Sequence, residues 1–176
     1  RLYAAGESAE FLRHLSVALR HIIFWAVPAT ILVIVLRAQL VRAILGTGAF
    51  DWPATRLTAA ALALFIVSLV AQAITLLIAR SYYAAGRTQK PLIFAGVGVV
   101  VSIGAAFVLA SAFHASEFWR YFLENMLRVS DLPGTTVLML ALSYSLGALV
   151  SAVLGLWWFA RDFSISLAPL RRLFLQ

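Results

Sequence analysis

Ser68, Gln72 and Thr75 fall at i, i+4 and i+7 in a stretch without charge, so a helix places all three on one face. Within a bilayer such a face either lines a wet path for a polar substrate or supplies hydrogen bonds between helices, and packing is the commoner use. Arg20 stands near the start of the first long apolar run. At a cavity mouth its guanidinium would grip a phosphate with two hydrogen bonds. The plainer role is to snorkel to the headgroups. Arg80, Arg87 and Lys90 cluster around a short polar turn, where they hold either a substrate or, more ordinarily, anionic lipid headgroups. The candidate binding residues are therefore Arg20, Gln72, Arg80, Arg87 and Lys90.

Enzymatic chemistry finds no matching set of residues. His14, His21 and His114 lack metal-site spacing. There is no cysteine to serve as nucleophile, thiolate ligand or disulfide. No glycine-rich phosphate loop is present, and the acidic residues are scattered, each reading as a solvated or interfacial charge. The sequence calls for no catalytic residue, no metal and no cofactor. The 14 Lys and Arg exceed the 7 Asp and Glu for a net charge of +7. They sit singly between apolar runs, which argues against a nucleic-acid surface.

The elements that carry these residues belong to a membrane. Of 176 residues, 63% are hydrophobic and 12% charged, and mean hydropathy is +0.96. A soluble domain is about half apolar and about one quarter charged. A helix crosses the ~30 Å hydrocarbon core with ~20 apolar residues, and four stretches qualify: about 16–36, 57–79, 91–113 and 135–160. The expected fold is all-α and polytopic. Pro28 should kink the first span, and Pro91 suits the first turn of the third. Ser143, Gly147, Ser151 and Gly155 form a ridge of small residues, and Gly96, Gly98, Ser102 and Gly104 carry the same meaning.

Two further segments, 7–20 and 117–130, read as interfacial amphipathic helices. In the second, Glu117, Arg120, Glu124 and Arg128 oppose Phe118, Phe122 and Met126. The amphipathic stretch ahead of the first span argues against a signal peptide. Nine basic residues against three acidic ones lie on one side of the membrane, five against four on the other. The more positive side should be cytoplasmic, which puts both ends of this chain there. Arg1 at the start, and an apolar tail from Phe163 to Gln176, suggest a piece of a larger protein.

Two motifs carry a family resemblance. One is Ala18-Leu19-Arg20, then Phe24-Trp25-Ala26-Val27-Pro28, then the loop Ile44 to Phe50. The other runs from Ala79 to Pro91, with Arg80, Tyr83, Ala84, Gly86, Thr88, Lys90 and Pro91 at matching places. Together with the order of the spans, they resemble the MurJ/MviN family of lipid II flippases, within the superfamily of multidrug and oligosaccharidyl-lipid exporters. The resemblance covers nearly the whole chain and implies helices nine to twelve of fourteen. It implies transport of the undecaprenyl-linked peptidoglycan precursor across the bacterial cytoplasmic membrane by alternating access. The implied partners are that precursor, membrane lipids and the remaining helices of the transporter.

Some family features fall elsewhere. The cavity arginines belong mainly to the first, second and eighth helices, and the lipid-tail groove to the last two, so this segment alone should not transport. Ser102 and Ala106 stand where some members bring an amide and a carboxylate to sodium, and Leu76 stands where a lysine is often found. The outer amphipathic helix is longer than the usual connection. The alternatives are a lipid-linked polysaccharide flippase and a small membrane scaffold. A membrane enzyme is the weakest.

Overall fold

The computed structural model describes residues 8–46 and 51–162. They form five helices: α1 (Ser8–Leu45), α2 (Trp52–Ala84), α3 (Gln89–Ala115), α4 (Glu117–Leu127) and α5 (Val137–Asp162). Among the described residues there is no strand. Four of these helices are long and apolar enough to cross a membrane, and the chain is a multi-pass membrane protein. The Gly48–Phe50 part of the first loop and the tail from Phe163 lie outside the described residues.

Helices α1, α2, α3 and α5 cover the four apolar stretches and, except at the start of α5, extend beyond them. Asp51 caps α2, its carboxylate accepting from the Ala54 amide at 2.9 Å, with Pro53 in the first turn. Pro91 is buried in the first turn of α3, where its missing N–H leaves no acceptor unpaired. α5 starts two residues later than expected, because Gly134 (φ +79°) still belongs to the preceding turn.

Over its described residues, from Ser8, the interfacial segment expected over 7–20 is not a separate element. It runs without a break into the first span as α1, whose 38 residues extend ~57 Å at ~1.5 Å per residue. Neither Gly nor Pro occurs from Ser8 to Val27, so nothing stops the helix where the amphipathic pattern gives way to the apolar one. The helix also continues through Pro28. Apart from the Phe24 carbonyl, to which Pro28 has no N–H to offer, the continuous backbone keeps its hydrogen bonds inside the segment, as lipid demands.

α5 is the central element. It packs against both α2 and α3, while α1 packs on α2 and the two walls α2 and α3 barely meet. At one end Leu64, Phe113, Leu123, Leu127, Leu138 and Met139 form a core that includes α4. At the other end Ile78, Tyr82, Phe94 and Phe159 form a second core, with Phe11 and Leu15 of α1 against it.

Between these cores α3 and α5 cross closely. A Cβ on Gly98 would lie 2.9 Å from Ser151 Cβ and 3.0 Å from the Gly147 carbonyl oxygen, and one on Gly147 would overlap Ser102 Oγ and the Gly98 carbonyl. This is the close approach that small residues permit. All four residues of the α5 ridge are buried. On α3 only half the expected set takes part: Gly98 and Ser102 are at the crossing, whereas Gly96 and Gly104 face open space. Ser145 adds a bond across the bundle, donating to the Leu64 carbonyl of α2 at 2.6 Å.

Candidate functional site

Because α2 and α3 splay over α5, a groove of about 560 Å³ opens between them. Its floor comes from Gly147, Ala148 and Ser151, and its walls from α2 and α3. Most of the lining is apolar, with Gln72, Thr75, Ser102 and Tyr144 among the polar residues that border it.

The stripe of three polar residues on α2 is divided. Ser68 is buried and its hydroxyl donates to the Phe65 carbonyl at 2.7 Å. Gln72 Nε2 donates back to Ser68 Oγ at 2.8 Å, so these bonds run within α2 and not between helices. Gln72 is nevertheless exposed on the groove wall. Thr75 Oγ1 is buried there without a hydrogen-bond partner, and such a hydroxyl in an apolar setting costs about 1–3 kcal/mol.

A polar cluster closes the end of the bundle where α2 gives way to α3. α2 ends in a Schellman turn: Gly86 takes φ +71°, its N–H bonds the Tyr83 carbonyl at 3.0 Å, and the Arg87 N–H bonds the Tyr82 carbonyl at 2.9 Å. This turn sets Arg87 and Lys90 facing the end of α5. There Asp162 Oδ2 accepts from Tyr82 Oη at 2.9 Å and from Lys90 Nζ, with Arg87 Nη1 3.8 Å away. Tyr82 is fully buried, its ring edge-on to Phe159 at 5.5 Å.

Asp162 is thus not the solvated charge expected from its place after a span. It is the point where α2, α3 and α5 join. A lone carboxylate at a helix end gave no hint of this, because its partners lie 72 and 80 positions away. Tyr82 was missed for the same reason, its exposed neighbour Tyr83 being the residue that matched the motif.

The five sequence candidates do not converge on one site. Gln72 lines the groove. Arg87 and Lys90 meet on Asp162. Arg20 is exposed on α1 and Arg80 is exposed on α2.

A second ionic contact lies at the opposite end. Arg56 near the start of α2 donates through both terminal nitrogens to Asp131, each at 2.7 Å, and also to the Arg128 carbonyl. The Arg56 hydrogen bonds hold the Asp131 carboxyl below its ordinary range. Thr135 donates to Glu124 at 2.7 Å, fixing α4 to the turn that enters α5. Among the described residues no group of acidic and histidine side chains has metal-site geometry.

Neither a curated protein nor a solved structure matches this chain. The family model described as "Lipid II flippase MurJ" matches residues 1–176, the full length of the sequence, and its members are transporters. The chain belongs to the MurJ lipid II flippase family.

Proposed function

We propose that this chain forms part of one lobe of a lipid II flippase of the bacterial cytoplasmic membrane, corresponding to helices nine to twelve, and that the whole transporter works by alternating access. The family match over residues 1–176 carries this reading. The geometry supports it: a mostly apolar groove bears a few polar groups at mid-span, and a charged cluster sits at one end. The more positive face, bearing Arg80, Arg87 and Lys90, lies toward the cytoplasm. In such transporters two helical lobes rock around a site near the bilayer midplane.

Gln72 then gives the path wall its polarity, and the pyrophosphate is held by cations outside this segment. Arg87 and Lys90, engaged by Asp162, set the bundle end. Gln72→Leu in the complete transporter tests this assignment. The expected outcome is a several-fold loss of lipid II movement at unchanged membrane abundance. Unchanged movement would mean that Gln72 only packs.

A further inference from the structure

α4 carries two apolar faces, and only one of them is used by the bundle. Leu123 and Leu127 are buried in the core, with Trp119 packed beside them. Phe118, Tyr121, Phe122 and Met126 point outward, Phe118 with 80% of its surface exposed. With Asn125 these four border a shallow depression of about 420 Å³. This orientation is fixed. The Thr135–Glu124 bond ties its last turn to the turn that enters α5, Leu123 and Leu127 are seated in the core, and Arg56 holds the following loop through Asp131 and the Arg128 carbonyl. Rolling α4 to hide the aromatic stripe would break the Thr135–Glu124 bond and lift Leu123 and Leu127 from the core.

The level at which the stripe sits is also set. α4 follows α3 after the single residue Ser116. The 27 residues of α3 span ~40 Å at ~1.5 Å each, so a helix that crosses a ~30 Å core ends among the headgroups. The end of α3 nearest α4 also presents large apolar side chains outward, Phe107 and Val108. Glu117, Arg120 and Glu124 occupy the polar side of α4, as an in-plane helix requires.

We propose that α4 lies in the plane of the membrane on the Asp131 side, with Phe118, Tyr121, Phe122 and Met126 set into the acyl–headgroup boundary of that leaflet. Its partner is the lipid itself. Because Arg56 and Thr135 join α4 and its loop to α2 and to the turn that enters α5, the lipid contact fixes the depth of the whole α2–α3–α5 unit. Tyr121 supplies the hydrogen-bonding margin that an interfacial face carries.

The chain contains no cysteine, so Phe122→Cys gives one labelling position within it, and Arg120→Cys gives a control on the polar side. Each is placed in the complete transporter, labelled with bimane and reconstituted in phosphatidylethanolamine–phosphatidylglycerol vesicles. Some vesicles carry lipids with a doxyl group at carbon 5 or carbon 12. The proposal expects label at 122 to be quenched at least twofold more by the carbon-5 lipid than by the carbon-12 lipid, and little by aqueous iodide. Label at 120 should respond mainly to iodide. Iodide quenching at 122 equal to that at 120 would overturn the proposal. So would stronger quenching from carbon 12, which means a deeper helix, or quenching by none of the three, which means a protein partner.

Discussion

The Tyr82 hydroxyl donates to the Asp162 carboxylate across 2.9 Å, joining residues 80 positions apart in sequence. The tyrosine ring is wholly buried, so the bond sits in a setting that water does not readily replace. Lys90 donates to the same oxygen, which brings α3 into the same junction. The order of the five helices makes this possible: α2 ends, turns through Gly86 and starts α3 at the level where α5 ends.

Removing this carboxylate should therefore loosen three helices together. Asp162→Asn leaves Lys90 without its counter-charge, and a hydrogen bond to a charged group contributes about 1.5–3 kcal/mol. We expect a lower melting temperature in detergent. Tyr82→Phe should cost about as much, and the double variant less than the sum of the two. Strict additivity would show that the two groups act independently.

Gly147 and Gly104 should respond in opposite ways to the same change. An alanine at 147 would collide with Ser102 and the Gly98 carbonyl, whereas one at 104 meets nothing within 4 Å. Gly147→Ala should push α3 from α5 and lower stability by about 1–3 kcal/mol. Gly104→Ala should be neutral or raise stability by up to about 1 kcal/mol through helix propensity. Thermal melts of the two proteins side by side check the contrast.

Gly86 is the backbone hinge of the Asp162 junction, with φ +71° and open space where a side chain would go. The cost of Gly86→Ala is thus conformational and not steric, about 1–2 kcal/mol for the left-handed region. Arg128 holds the same region at φ 60° with a Cβ. Arg128→Gly should remove that cost and raise the melting temperature, while keeping the carbonyl that Arg56 uses.

The Arg56–Asp131 contact makes a prediction about acid. Asp131 is held below its ordinary value of 3.8, first by the hydrogen bonds from Arg56. A carboxyl depressed on folding stabilises the fold above its unfolded value and loses that contribution as pH falls through the folded one. The difference in melting temperature between the parent and Asp131→Asn should be constant from pH 7 to about pH 5. It should vanish as pH drops below the ordinary carboxylate range. A difference that fades already between pH 7 and pH 6 would point to another group.

Hydropathy made the four spans legible, since a ~30 Å apolar layer demands runs that no other fold needs. Helical period also accounts for which small residues on α3 matter. Gly98 and Ser102 are four apart and share a face, while Gly96 and Gly104 fall on others. Composition alone does not distinguish the four. The join of the amphipathic segment to the first span in α1 was hidden, because a change of pattern without a breaker does not end a helix. The Asp162 junction was hidden more deeply. Its members come from three helices, and nothing in local spacing reports which helix ends will stand at the same level.

The most direct test of the family assignment's functional meaning uses the complete transporter that contains this segment, reconstituted in vesicles with fluorescently labelled lipid II. The account predicts transfer of the labelled lipid from one leaflet to the other, read as a growing fraction open to a membrane-impermeant quencher. Properly inserted protein that leaves the leaflet distribution of lipid II unchanged, while moving another polyprenyl-linked lipid, would contradict it.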